Sequence, residues 1–413
     1  MVIAGFRSPR LGNLAWRWVG CSTVDAMPWP QKSDVALMNK YPSVHYLQKR
    51  AKYRIPKFSW EYLDSGTGLD EAVDRNLASM RAVTFAPKFL QGVLEPTIET
   101  ELFGTTYSAP FGVAPIGLTG GIWPGADKAL ATMAAKRRVP HVLSTVATEK
   151  PEVHGPLAGG MGWFQLYPPR DLSIREDLLG RVRDSGYKVL VVTADIPAAS
   201  ARERQKRAQL TVPPKIGPLL VARAAVRPAW SLAILRNGAP RFRTLDAYSS
   251  KATMANTAGV VGSSLGGTLS WDYLAEVRDM WDGPLVVKGL LHPDDASRAI
   301  DIGVDAISVS NHGGRQLDGA QGSIDALPAM VERIDGRVKV LFDGGVRSGL
   351  DVARAIGLGA DFVLCGRAYM FGLSALGDRG ADHVTTILHN GLIEVMHQLG
   401  CRTLGEISER IIR

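Results

Sequence analysis

"DAISVSNHGGRQLDG", residues 305–319, decides how the chain is read. Its first half is apolar, alternating and partly β-branched, as a buried strand requires. It then breaks into Asn311-His312-Gly313-Gly314-Arg315. Glycines let a backbone bend sharply or approach a ligand closely. A strand exit would therefore carry, on one loop, an imidazole able to hold a proton and a guanidinium able to fork onto a carboxylate. Taken alone, such a loop is more simply a solvated turn. The surrounding sequence decides.

From about residue 109 the same unit recurs: a short apolar run, a small or polar exit, then a helical pattern. The other runs are "APFGVAP" (109–115), "VPHVLST" (139–145), "WFQLY" (163–167), "YKVLVVTAD" (187–195), "PLVVKG" (284–289), "VKVLFDGG" (338–345) and "DFVLCGR" (361–367). Helix-like segments such as "GADKALATMAAKRR" and "SGLDVARAIGLG" lie between them, several closing on a glycine. Strands alternating with helices imply parallel pairing by right-handed crossovers, and eight such units close naturally into a barrel. An open doubly wound sheet would expect a glycine-rich turn after its first strand. "APIGLTGG" does not match that pattern. The expected fold is α/β, a (β/α)8 TIM barrel spanning residues 43–410. A tail over 1–42 and N-terminal helical segments, including "SVHYLQKRAKYRI" and "FSWEYLDSGTGLDEAVDRNLASM", precede the strands, and a long insertion over 196–283 follows strand four.

Composition agrees. The chain has 413 residues, 46% hydrophobic and 21% charged, enough for a large core without staples. Cys21, Cys365 and Cys401 show no CxxC spacing, so neither a disulfide framework nor a zinc site is indicated. No stretch approaches 18 uninterrupted apolar residues. The net charge of +8 is concentrated. Between Glu203 and Asp246 there is no acid, but Arg204, Lys206, Arg207, Lys215, Arg223, Arg227, Arg236, Arg241 and Arg243 are present. "IGPLLVA" and "PAWSLAIL", with Trp230, interleave them. No nucleic-acid signature accompanies this run, and it suits a membrane surface better. The first 24 residues also lack acids and carry Arg7, Arg10 and Arg17. A mitochondrial-type presequence, an interfacial tail and a start at Met27 all remain open there.

In barrels the loops after the strands build the active site. Here the strand exits offer Ser144, Gln165, Tyr167, Thr193, Asp195, Lys288, Ser310, His312 and Arg315, then Asp343-Gly344-Gly345 and Gly366-Arg367. A structural barrel has no need of an ionisable or hydrogen-bonding group at nearly every exit on one rim. The last two loops, "DGGVRSG" and "CGRA", combine glycine amides with Arg347 and Arg367, which suits a phosphate monoester.

"SNHGGRQLDG", together with "YLDSGT", "VLSTVAT", "FQLY", "VVKG", "FDGGVRSG" and "VLCGRA", resembles the FMN-dependent L-2-hydroxy-acid oxidase and dehydrogenase family. The resemblance runs from about residue 43 to 410. It implies bound FMN and oxidation of a 2-hydroxy acid to a 2-oxo acid. His312 would be the base, oriented by Asp195. Arg202 and Arg315 would bind the substrate carboxylate, with Tyr62 and Tyr167 bonding the carboxylate and hydroxyl. Lys288 would face the flavin N1 and C2 carbonyl. Ser144, Gln165 and Thr193 would bond the ring edge, and the backbone of Ala114, Pro115 and Gly117 would approach N5. Ser310, Asp343, Gly345, Arg347, Gly366 and Arg367 would hold the ribityl chain and phosphate. One departure is visible: Ile116 stands where the family commonly has Thr. Gly117 and Val146 are small where glycolate oxidases carry larger groups, which points to lactate, mandelate or a longer acid. "GGIWPGADKALA" and "RPAWSLAILRNG" look most like the lactate and mandelate dehydrogenase branch. That branch implies a membrane quinone as acceptor; the alternatives are a soluble oxidase reducing oxygen, or an FMN-barrel protein with a peptide-modifying or binding role. It also implies a homo-oligomer (a tetramer by family) and a cytoplasmic position on the inner face of the cell membrane, or a mitochondrial one in a eukaryote.

Overall fold

The computed structural model describes residues 32–209, 217–251, 253–267 and 269–412. The readings made for residues 1–31, and that for Lys215, lie outside the described residues.

Eight parallel strands form a closed barrel. They are β1 (Phe111–Val113), β2 (His141–Ser144), β3 (Gly162–Leu166), β4 (Val189–Thr193), β5 (Leu285–Leu290), β6 (Ala306–Val309), β7 (Lys339–Asp343) and β8 (Phe362–Cys365). Each pairs with its sequence neighbour, and β8 closes on β1 with Val363 opposite Phe111. Every strand coincides with one of the expected runs. Each run is buried on both faces, so parallel strands here read as continuous apolar stretches.

Side chains alternate across a strand. Leu143, Phe164, Leu190, Val287, Ile307 and Phe342 pack outward in the main core with the surrounding helices. Val142, Trp163, Val191, Val286, Leu341 and Phe362 form a separate cluster, the barrel interior. Continuing those inward rows by twos brings Ser144, Gln165, Thr193, Lys288 and Asp343 to the C-terminal rim. Tyr107 and Leu102 join the inner cluster from an antiparallel hairpin, Thr100–Leu102 with Thr105–Tyr107. That hairpin plugs the opposite end.

The N-terminal segments are helical, but "FSWEYLDSGTGLDEAVDRNLASM" is two helices, Lys57–Asp64 and Glu71–Ala82. Ser65 to Asp70 interrupts them, and Asp70 accepts from the Gly66 amide there. A further helix, Lys32–Lys40, falls inside the stretch read as a tail.

The insertion requires a correction. Trp230, read as part of a membrane-facing surface, is buried. Its indole N–H donates to the Ile122 carbonyl at 3.0 Å, and its ring meets Phe58 edge-on. An aromatic in a basic segment serves a core as readily as a lipid interface, and here the helix Pro228–Asn237 packs it inward. Several basic residues are also committed internally: Arg204 to three carboxylates, Arg241 to Asp246 and Arg243 to Glu149. Val226, Leu232 and Leu235 remain exposed. Among the described residues, no helix is long and apolar enough to cross a membrane.

Candidate active site

The C-terminal rim opens into a cavity of about 570 Å³. Its wall brings together Tyr62, Ala114, Pro115, Gly117, Tyr167, Arg202, Lys288, His312, Arg315, Asp343, Gly345, Arg347, Gly366 and Arg367. Asp195 stands behind His312. Ser144, Thr193 and Ser310 stand directly behind wall residues, and Gln165 accepts from Ser144 Oγ at 2.9 Å. Ser144 accepts from the Val146 amide, Thr193 is opposite Lys288 in the sheet, and Ser310 accepts from Lys288 at 2.9 Å. Ile116 lines the cavity too, and its side chain lies beside Gly366. An apolar group therefore occupies the place where the family commonly has a hydroxyl.

His312 sits just past β6 with φ of 57°, in the left-handed region. Such a conformation in a non-glycine residue is held by its surroundings and marks functional sites. Three contacts hold it. The His312 amide donates to Ser310 Oγ at 3.0 Å. Nδ1 meets Asp195 Oδ1 at 2.8 Å. Gly314, at φ of 77°, passes so close to the helix Glu71–Ala82 that a β-carbon would lie 2.7 Å from the Val73 amide. That close approach accounts for Gly314, and Gly313, at φ of 63°, also takes the left-handed backbone that favours glycine. Burial keeps the imidazole below its usual pKa, with Asp195 acting in the opposite direction. Burial would raise Asp195, but the charges of His312 and Lys288 outweigh it and hold the carboxyl below its ordinary value.

Lys288 is buried and pairs with Asp343 at 3.0 Å. Burial works against its charge, and Asp343 and Asp195 overcome that, so its pKa rises. It is a fixed cation in the cavity floor. Ser310 donates to Asp343 at 2.8 Å and completes the network.

The arginines differ. Arg315 donates to the carbonyls of Tyr62 and Ser65, and its guanidinium lies over the Tyr62 ring. Arg367 donates to the carbonyls of Gly313, Ser65 and Leu63. Arg202 bonds Ser200, and Arg347 bonds its neighbour's carbonyl. Neutral acceptors leave the positive charge uncancelled. Burial, then the like charge of Arg202, lowers Arg315 to about 10. Burial together with Arg315 and Arg347 lowers Arg367 strongly. A site that crowds cations this way is built for anions.

Two groups are missed by motif reading. Asn76, on the helix Glu71–Ala82, exchanges a pair of 2.8 Å amide bonds with Asn311 and so braces the His312 loop. The only signal was an amide on a buried helix face. Gly289, at φ of 107°, follows Lys288; a β-carbon there would come 2.5 Å from Asp195 Cγ. Its bareness seats the carboxylate against His312.

The donor set fits FMN. Gln165 Nε2 and Thr193 Oγ1 are buried polar atoms without a partner, as expected of groups that bond a flavin edge. Lys288 supplies a cation in the floor, and Arg347, Arg367, Gly345 and Gly366, brought together at the loops after β7 and β8, would hold the FMN phosphate.

Fold and site together define a cofactor-dependent barrel enzyme. Residues 51–413 match the FMN-dependent dehydrogenase family, and the chain belongs to it. It is similar to an L-lactate dehydrogenase of Ectopseudomonas mendocina, 36% identical over 365 residues, covering 88% of this chain and 96% of the relative. An L-lactate dehydrogenase of Xanthomonas euvesicatoria pv. vesicatoria is also 36% identical, over 361 residues, with 87% and 92% covered. Among solved structures, the monotopic membrane protein (S)-mandelate dehydrogenase superposes with a TM-score of 0.85 at 33% identity, covering 90% of this chain and 98% of that one. Mandelate oxidase gives 0.77 at 30% identity over the same shares. The protein is an FMN-dependent oxidoreductase.

Proposed function

We propose that the chain oxidises an L-2-hydroxy acid to the 2-oxo acid and passes the electrons to a membrane quinone. The observation that carries the chemistry is the His312–Asp195 pair in a cavity shared with Arg202 and Arg315, neither of which has a carboxylate partner within 4 Å among the described residues. FMN, when bound, accepts the electron pair lost by the carbinol carbon. His312 enters the reaction neutral because burial disfavours its charge. With Nδ1 on Asp195, Nε2 is left to take the proton released from the carbinol centre. Asp195 stabilises the imidazolium that results. Arg202 and Arg315 grip the substrate carboxylate. The Tyr62 hydroxyl donates to the Gly117 carbonyl at 3.0 Å and would turn its single proton to the carboxylate when substrate binds. Burial, followed by the Asp195 charge, pushes the Tyr167 hydroxyl up, so it stays protonated and donates to the substrate oxygen. Lys288 would offer fixed positive charge to the bound cofactor and so favour its reduced form.

A β-carbon at Gly117 would come 2.6 Å from Val146 Cγ2. Both residues line the cavity and stay small together, which leaves room for a substituent larger than hydrogen. This supports a lactate- or mandelate-sized acid, the substrates named for the relatives. Val261, Leu265 and Gly266 of the insertion also line the cavity. The insertion exposes Val226, Leu232 and Leu235 together with the exposed Arg236. Exposed apolar groups beside a cation, on an insertion whose later residues line the cavity, favour docking on an anionic membrane, on the cytoplasmic side. Each basic group near such a surface is worth about 1 kcal/mol.

Anaerobic mixing with a panel of 2-hydroxy acids should bleach the flavin, with lactate or mandelate ahead of glycolate. A quinone analogue should then reoxidise it faster than oxygen. Exchanging Val226, Leu232 and Leu235 for Ser should release the protein from anionic vesicles and slow quinone reduction, while anaerobic bleaching survives. Failure of every acid to bleach the flavin would end the substrate reading. Fast reoxidation by oxygen without vesicle binding would replace the quinone reading with a soluble oxidase.

A further inference from the structure

Arg204 lies near the start of the insertion, two residues after Arg202, and its guanidinium is shared by three carboxylates. Nε donates to Glu61 at 2.8 Å, Nη1 to Asp70 at 2.5 Å and Nη2 to Asp64 at 3.0 Å. Glu61 and Asp64 flank Tyr62 on the helix Lys57–Asp64, and Asp70 caps the loop that follows. The neighbours of Arg204 engage the same segment. The Arg202 amide donates to Thr67 Oγ1, Glu203 accepts from the Gly68 amide at 2.8 Å, and Gln205 donates to Ser65 at 3.2 Å. Four consecutive residues, 202–205, are thus bonded to residues 61–70. Ser65, inside that stretch, is also a carbonyl anchor of Arg315 and Arg367.

We propose that Arg204 is a positioning residue that fixes the distance between the two arms of the carboxylate site, Tyr62 on the N-terminal helix and Arg202 on the insertion. The inference rests on the reading of Tyr62 and Arg202 as carboxylate ligands. The physical case has three parts. The arms come from elements far apart in sequence, so no shared secondary structure sets their spacing. Arg202 is in the left-handed region, with φ of 46° and ψ of 57°, and such a residue holds its place only when its surroundings impose it. Finally, the planar guanidinium bonds three acceptors at defined angles, which a flexible ammonium cannot reproduce. The three carboxylates leave a net negative charge of two around Arg204. Without it they would repel one another beside Tyr62 and push the helix away from the insertion. They would also repel an incoming anion.

The test uses the full-length holoenzyme, with anaerobic flavin bleaching by the preferred hydroxy acid. Arg204→Met should weaken the apparent dissociation constant of the acid by about tenfold or more, the order expected when one charge-assisted hydrogen bond to the carboxylate is lost. The limiting bleaching rate should fall much less. Affinity for the uncharged methyl ester, measured as an inhibitor, should stay within about twofold, and FMN content should be unchanged. Arg204→Lys should recover part of the loss. Glu61→Gln, which removes one of the three acceptors, should give a smaller loss of the same kind and carries the test if Arg204→Met does not fold. Unchanged acid affinity, or equal losses for acid and ester, would overturn the proposal. Arg202→Met serves as the reference: if it leaves acid affinity intact, the carboxylate reading itself has failed. If it weakens the acid while Arg204→Met and Glu61→Gln do not, only the inference about Arg204 has failed.

Discussion

The two ends of the barrel are built on the same inward rows of side chains and do opposite work. At the N-terminal end those rows are Val142, Trp163, Val189 and Phe362, stacked with Tyr107 from the hairpin. Trp163 meets Tyr107 edge-on and donates its indole N–H to that hydroxyl at 3.0 Å. Further along the same inward rows come Ser144, Gln165, Thr193, Lys288 and Asp343. One end closes on apolar and aromatic area with its few polar atoms satisfied. The other leaves Gln165 Nε2, Thr193 Oγ1 and Asp195 Oδ2 without partners and gathers buried cations. The contrast shows a division of labour: binding and chemistry are placed where the fold leaves groups unsatisfied, and stability is drawn from the end where it does not.

Substitutions at the two ends should therefore separate cleanly. The largest effect belongs to the rim. His312→Ala should retain FMN and slow anaerobic bleaching by about 10² to 10⁴-fold, the usual worth of a positioned acid–base group. Stopped-flow absorbance measures it, and a parental rate would remove His312 from its role. In the parent, the acid limb of the pH profile should lie below the ordinary imidazole range, because burial lowers His312. Above that limb the base is neutral and the profile flat.

The next effect belongs to the plug. Trp163→Ala should cost about 3–5 kcal/mol of stability, the range for removing a large buried aromatic. The bleaching rate of the protein that remains folded should be unchanged. Denaturant unfolding monitors the first quantity. A large change in the rate would show that the two ends are not independent.

The smallest effect sharpens the comparison through pH. At the start of β2, His141 Nδ1 and His154 Nε2 lie 2.7 Å apart, and His154 Nδ1 lies 2.7 Å from the Tyr187 hydroxyl, all buried. Burial lowers His154 to about 3, and burial with the neighbouring ring lowers His141. Below an unfolded value near 6.5, the unfolded chain takes up protons that the folded chain refuses. This contribution to stability is thus fully present above pH 6.5 and is lost as pH falls toward 3. His154→Gln should make the decline shallower over that window, from a lower plateau, in unfolding curves collected across pH. An unchanged slope would mean that the pair is not what titrates.

The barrel and its rim were legible in sequence because parallel strands buried on both faces are continuous apolar runs, and because the rim residues follow those runs at once. The His312 loop, Lys288 and the two glycine-arginine exits needed no long-range information. What stayed hidden depends on distance in the chain. Arg204 finds Glu61, Asp64 and Asp70 across a separation that no local pattern records, and the Asn76–Asn311 exchange is of the same kind. The break between the helices Lys57–Asp64 and Glu71–Ala82 was masked by apolar periodicity on both sides of it. Trp230 was misread because hydrophobicity and charge do not tell whether a helix turns its aromatic toward lipid or toward a neighbouring carbonyl.

The closure of β8 onto β1 has a kinetic side. Phe111 pairs with Val363, and Thr84–Phe85 pair with Ile411–Ile412, so the ring and the segment outside it are both sealed by contacts between opposite ends of the sequence. Such contacts reward the chain only after a long loop has been closed, and parallel pairing of this kind is intrinsically slow. Until β8 arrives, β1 presents an open, apolar strand edge, a template for pairing with another chain. Both loops that would hold the FMN phosphate lie just before or within that late closure, so cofactor capture and ring closure should be one kinetic event. Yield on refolding should accordingly depend on dilution and on the presence of the cofactor during the closing step.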